Sequence, residues 1–88
     1  MPTDVSVRVT VRYFAAARAA SGTDSEMIDL PAGVTVAELV ELLKARDAEL
    51  AKVLARCSYL RDGVAVRVLS TEIGDSQTID VLPPFAGG

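Results

Sequence analysis

The chain has 88 residues, half of them hydrophobic, which is enough for one small domain with its own core. Its net charge of −3, from 9 basic and 12 acidic residues, argues against a nucleic-acid ligand, because phosphates require a basic face. The sequence has no histidine and only one cysteine, so it excludes histidine-based catalytic and metal sites and an internal disulfide.

The first part of the chain predicts two strands. From Val5 to Phe14 apolar and polar residues alternate, which is typical of a half-buried strand, and Phe14 falls on the polar face. The alanine-rich run 15–20 can form a helical turn but is too short to be stable alone. After a turn at 21–24, residues 26–30 predict a second strand.

A helix is predicted from Thr35. Thr35 and Glu38 have the spacing of a capping box, in which each side chain bonds the backbone of the other residue. The apolar residues that follow recur at helical spacing: Val36, Leu39, Val40 and Leu43. Asp47 is expected to cap a second short helix that extends to about Arg56.

The last third of the chain predicts three strands. Residues 58–60 lead to Asp62-Gly63, a dipeptide suited to a two-residue hairpin turn, and residues 64–69 form the returning strand. Residues 78–82 alternate again and form the final strand. Pro83 and Pro84 follow, and the sheet must stop there because proline has no N–H group to donate.

This order of elements predicts an α+β fold, in which a mixed β-sheet packs on one main helix and a short second helix. It resembles the β-grasp, or ubiquitin-like, fold. We expect the β-grasp domain to cover residues 1–82, and residues 83–88 to form a flexible tail that ends in Gly87-Gly88. A carboxylate on such a slim tail can be inserted into the active site of another protein.

Three segments resemble the small subunit of molybdopterin synthase, the MoaD family of sulfur carriers within the MoaD/ThiS superfamily. They are Val11–Ala15, the turn Asp62-Gly63, and the terminal run Leu82–Gly88, which is the most specific of the three. The resemblance implies that Gly88 is adenylated with ATP and then converted to a thiocarboxylate. It also implies that the rest of the tail enters the partner: Gly87, Ala86, Phe85 and Pro84.

The partners that the resemblance implies are the MoaE-like large subunit of molybdopterin synthase, an E1-like (MoeB-like) adenylating enzyme and a sulfurtransferase. A heterotetramer with two large subunits is expected. The chain itself would be a non-catalytic, sulfur-donating subunit without a tightly bound cofactor, since ATP is used by the adenylating enzyme, and we expect it to bind no metal. Phe14 and Leu82, apolar residues on polar strand faces, are expected to dock these partners, and Val64 extends the patch if it lies on the same face.

A cytoplasmic location is expected. The first residues lack the features of a signal peptide, no apolar run is long enough to span a membrane, and the single Cys57 cannot form an internal disulfide, which fits a reducing compartment. Cys57 itself is expected to be a small residue at the core boundary. Other functions remain open: a carrier for thiazole or cysteine synthesis, a ubiquitin-like modifier whose Gly88 forms an isopeptide bond, and a β-grasp binding module with an inert terminus.

Overall fold

The computed structural model describes residues 5–84, so the predictions for Phe85, Ala86, Gly87 and Gly88 lie outside the described residues. This part of the chain forms three helices and five strands. In chain order they are β1 (Ser6–Tyr13), α1 (Ala15–Ser21), β2 (Ser25–Pro31), α2 (Val36–Arg46), α3 (Ala48–Leu54), β3 (Ser58–Arg61), β4 (Val64–Ala65) and β5 (Thr78–Leu82).

The five strands form one mixed sheet in the order β2-β1-β5-β3-β4. The central pair, β1 and β5, is parallel, with Val11 opposite Ile79 and Tyr13 opposite Val81. All other pairs are antiparallel. The predicted α+β class is therefore confirmed, and the first and last strands are neighbours.

One face of the sheet forms the core with the helices. Val9 and Val11 of β1 and Ile79 and Val81 of β5 are fully buried, as their alternation predicts. The helices contribute a second set of buried side chains: Ala17, Val36, Leu39, Val40, Leu43, Leu50 and Leu54. Val5 is an exception to the predicted pattern, because it precedes β1 and its side chain is exposed.

Both predicted caps form. The hydroxyl group of Thr35 accepts from the N–H of Glu38 at 3.2 Å, and the carboxylate of Glu38 accepts from the N–H of Thr35 at 2.9 Å. Asp47 Oδ1 accepts from the N–H of Glu49 at 2.8 Å. The second helix that it caps, α3, ends at Leu54, slightly before the predicted end.

Two elements differ from the prediction. The alanine-rich run is a complete helix, α1, because Ala17 packs into the core and the N–H of Gly22 closes the last turn on the carbonyl oxygen of Arg18 at 3.0 Å. The returning strand was predicted to reach Leu69, and this was wrong, since β4 ends at Ala65. The N–H of Val66 still donates to the carbonyl oxygen of Tyr59 at 2.9 Å, and after Val66 the chain leaves the sheet and turns towards the start of α2.

Candidate functional site

The central strand β5 leads the chain out of the domain. It ends at Leu82, and Pro83 and exposed Pro84 follow. Since proline cannot donate to a neighbouring strand, the sheet cannot extend along this part of the chain. Of the tail residues predicted to enter a partner, Pro84 is described here, beside the carboxyl end of β5.

Phe14 lies next to this exit. Its N–H donates to the carbonyl oxygen of Val81 at 3.2 Å, and Tyr13 is opposite Val81 in the sheet. Continuing that register places Phe14 beside Leu82, and both side chains are partly buried on the face of the sheet that the helices leave open. We call this surface the outer face. Docking of a partner there remains a prediction.

Val64 does not join this pair. It is opposite Arg61 in the β3–β4 hairpin, and Arg61 is opposite the buried Ile79 of β5. Because directly opposed residues point to the same face, the register assigns Val64 to the helix side at the exposed edge of the sheet. Leu82, an odd number of residues after Ile79, points to the outer face.

The outer face holds a cluster that the sequence analysis did not identify, formed by Arg12, Phe14 and Asp80. The guanidinium carbon of Arg12 lies 5.1 Å from the centre of the Phe14 ring, which is a cation–π contact. Arg12 Nε also lies 3.4 Å from Asp80 Oδ1, and the side chains of Arg12 and Asp80 are 52% and 14% exposed. The alternation of β1 places Arg12 and Phe14 on one face, but only the β1–β5 register brings Asp80 beside Arg12.

The geometry of this ion pair is incomplete. Asp80 Oδ1 is buried and accepts no hydrogen bond from the described residues, although the Arg12 charge lies close to it. A buried acceptor of this kind is costly unless a neighbouring charge compensates it. Arg12 is therefore held at the surface by the electrostatic attraction of Asp80 and by its contact with the Phe14 ring.

Cys57 takes the structural place that was predicted for it. It is partly buried and packs against the core, and its thiol group donates to the carbonyl oxygen of Val53 at 3.2 Å. Burial raises the pKa of the Cys57 thiol, which disfavours the nucleophilic thiolate. Within residues 5–84, no group of three Cys, Asp or Glu side chains is placed to hold a metal ion. No helix in the same range is long and apolar enough to cross a membrane.

A mixed sheet with parallel central strands, helices on one face and a chain exit at the end of the middle strand defines a β-grasp, ubiquitin-like protein. The ThiS family model matches residues 11–88. The chain therefore belongs to the ThiS family of ubiquitin-like sulfur carriers. A search of curated proteins finds no match.

Solved structures support the same assignment. The "putative molybdopterin converting factor, subunit 1" of Pyrococcus furiosus is 31% identical, with a TM-score of 0.81 over 90% of this chain and 99% of that one. The small archaeal modifier protein 1 of Methanosarcina acetivorans is 25% identical, with a TM-score of 0.80 over 96% and 99%. The complex of subunits 1 and 2 of the Helicobacter pylori molybdopterin-converting factor contains a chain that is 26% identical, with a TM-score of 0.67 over 93% and 100%.

Proposed function

We propose that this protein is the small, sulfur-donating subunit of molybdopterin synthase, and that it carries sulfur as a thiocarboxylate on Gly88. The observation that carries the proposal is the ThiS family match, which extends through Gly87 to Gly88. Likeness to the subunit 1 proteins of Pyrococcus furiosus and Helicobacter pylori supports the molybdopterin pathway.

The proposed chemistry has two steps, and partner enzymes catalyse both of them. The Gly88 carboxylate attacks the α-phosphate of ATP, which forms a glycyl adenylate and releases pyrophosphate. The terminal sulfur of a persulfide on a sulfurtransferase then attacks the carbonyl carbon, and AMP leaves to give an acyl disulfide. A thiol reductant cleaves the S–S bond of this intermediate, which leaves the thiocarboxylate on Gly88 and a disulfide between the reductant and the sulfurtransferase. Adenylation is needed because a free carboxylate repels nucleophiles and has no good leaving group. Glycine suits this position because it has no Cβ to crowd the reacting carbonyl group.

The proposed partners follow from this chemistry. An E1-like adenylating enzyme binds the ATP, so the carrier needs no tightly bound cofactor and is not an enzyme by itself. The MoaE-like large subunit supplies the pocket in which Gly88 donates its sulfur to a pterin precursor, in a heterotetramer with two large subunits. The Helicobacter pylori complex of subunits 1 and 2 supports a large-subunit partner. All of these reactions would take place in the cytoplasm.

We propose the outer face as the docking surface for these partners. Phe14 and Leu82 lie where the chain leaves the sheet, so a partner that covers them is positioned to receive the segment after Pro84. We propose that the tail from Pro84 through Phe85, Ala86 and Gly87 places Gly88 in each partner in turn.

Intact mass spectrometry tests the carrier chemistry. The protein is incubated with the adenylating enzyme of its own organism, ATP and a sulfur donor, with a reaction without ATP as the control. We expect an increase in mass that corresponds to the replacement of one oxygen by sulfur. This increase should map to Gly88 and be absent without ATP. Adding the large subunit and a pterin precursor then tests the pathway, since a carrier for thiazole or cysteine synthesis would be charged but would yield no molybdopterin.

A second candidate function is protein modification. Likeness to the small archaeal modifier protein 1 of Methanosarcina acetivorans favours it, because that protein is similar over nearly its whole length. In this case Gly88 would form an isopeptide bond with a lysine of a target protein. The distinguishing result is a covalent adduct that survives thiol reductant and contains a branched peptide at Gly88. If neither charging nor an adduct is found, an inert binding module becomes the better description.

A further inference from the structure

We infer that Arg12 is a positioning residue for partner docking. It holds the Phe14 ring on the outer face in the position in which the partner contacts it. This inference rests on the proposed function, because it assumes that Phe14 contacts the adenylating enzyme. It assigns a role to Arg12 and Asp80, neither of which touches the tail chemistry.

The contacts form a chain from the centre of the sheet to the ring. Asp80 lies on the central strand β5, directly opposite Arg12 of β1, and its carboxylate is almost covered. Arg12 Nε lies 3.4 Å from that carboxylate, while its guanidinium group lies over the face of the Phe14 ring at 5.1 Å. The anchored charge therefore restricts the ring to the position that it has in the free protein.

Restricting the ring favours binding for two reasons. A side chain that is already ordered in the free protein loses less conformational entropy when a partner covers it. Arg12 also compensates the Asp80 charge, which would otherwise become more deeply buried under the partner without an opposite charge. Loss of Arg12 should therefore weaken docking through Phe14, and should leave the reaction at Gly88 unchanged once the carrier is bound.

The same strand provides a matched control. Arg8 lies on the outer face of β1 and pairs with Asp29 at 3.0 Å, with both side chains exposed. Among the described residues, no aromatic ring forms a cation–π contact with Arg8. Replacing Arg8 or Arg12 by methionine removes the same charge from the same strand face, so a difference between the two variants reports the contacts of Arg12 with Phe14 and Asp80. The double variant with Phe14→Ala then separates the contribution of the ring.

The experiment measures KM and kcat of the adenylating enzyme for the full-length carrier, by ATP-dependent release of pyrophosphate. The variants are Arg12→Met, Phe14→Ala, the double variant and Arg8→Met. We expect Arg12→Met to raise KM about two- to fivefold, the range of an exposed cation–π contact, with kcat unchanged. Arg8→Met should leave both constants unchanged. In the Phe14→Ala background, Arg12→Met should have a smaller effect, because the ring that Arg12 holds is absent and only the uncompensated charge of Asp80 remains.

Several outcomes separate this inference from the proposed function. If Phe14→Ala raises KM but Arg12→Met does not, or if the two effects add fully, the positioning role is wrong while docking through Phe14 stands. If Phe14→Ala has no effect, the docking surface itself is wrong. Asp80→Asn keeps the shape of the side chain and removes the anchoring charge, so it should raise KM as Arg12→Met does. An unchanged KM in a folded Asp80→Asn variant would also overturn the inference.

Discussion

At the scale of single residues, the hydroxyl group of Tyr13 shows how a polar group is accommodated in the core. The side chain is 2% exposed, and its hydroxyl group donates to Glu26 Oε2 at 2.6 Å. Arg46 donates to the other oxygen of Glu26 at 3.0 Å, so the carboxylate connects β1, β2 and α2. We predict that Glu26→Ala lowers the free energy of unfolding by about 1–3 kcal/mol, because a buried hydroxyl loses its acceptor. Urea denaturation measures this change.

Glu41 provides the control for this prediction. It lies on the exposed side of α2 and pairs with Lys44 at 3.7 Å. Such surface pairs contribute little, so Glu41→Ala should change the free energy of unfolding by no more than about 0.5 kcal/mol. Equal effects of the two substitutions would show that the Tyr13–Glu26 hydrogen bond does not stabilise the fold.

The raised pKa values of Tyr13 and Tyr59 predict how the free energy of unfolding depends on pH. Burial raises the pKa of Tyr59 to about 12, and burial followed by the Glu26 hydrogen bond raises the pKa of Tyr13. Since tyrosine in an unfolded chain ionises near pH 10, the folded protein retains protons that the unfolded chain loses. Their contribution to stability should be complete below about pH 10 and be lost as the pH rises towards 12. Urea unfolding across this range tests the prediction, and Tyr59→Phe should make the decline shallower.

Part of this residue-scale detail could be predicted from the sequence. Alternation along β1 correctly places Tyr13 inside and Arg12 outside. It cannot identify Glu26 or Asp80 as their partners, because these contacts depend on the register between strands that are distant in sequence. Alternation also cannot determine the face of Val64, because a turn separates it from Arg61 and the hairpin register sets its direction.

At the scale of elements, the start of α2 is capped by two separate parts of the chain. The N–H groups of Val36 and Ala37 donate to the carbonyl oxygens of Thr71 and Leu69, each at 2.9 Å. The next N–H group, of Glu38, donates to Thr35. We predict that Thr35→Ala destabilises the protein by about 1 kcal/mol, while Thr35→Ser, which keeps the acceptor, has a smaller effect. Thermal unfolding compares them, and equal losses would mean that the hydroxyl group is not the cause.

The same contacts explain which elements the sequence could not predict. The capping box is local, and its prediction is confirmed. Residues 64–69 are mostly apolar and have the composition of a strand, but the chain turns after Val66 so that Leu69 and Thr71 can accept from α2. In the same way α1 is too short to be stable alone and forms because α3 and the sheet cover Ala17. Both differences arise from tertiary contacts that no local pattern contains.

At the scale of the whole molecule, the order of strands and helices was sufficient to predict the β-grasp fold. Few arrangements of these elements allow one long helix to cover and bury one face of the sheet. The resemblance at the tail suggested the chemistry, and the family match supports sulfur carriage. The pathway could not be derived in this way. It depends on which partner surfaces accept the outer face, and those surfaces belong to other proteins.

This organisation separates stability from chemistry. The buried apolar residues of the described chain lie between Val9 and Val81, while the proposed reactive group is Gly88. We predict that deletion of Gly87 and Gly88 leaves the free energy of unfolding unchanged within about 0.5 kcal/mol, the range of a surface substitution, but abolishes charging with sulfur. The deleted protein should still compete with the intact carrier for the adenylating enzyme, because Phe14 and Leu82 remain in place. Urea denaturation, intact mass and a competition assay measure the three results. Charging that persists would reject Gly88 as the acceptor, and failure to compete would show that the tail, rather than the outer face, provides the binding energy.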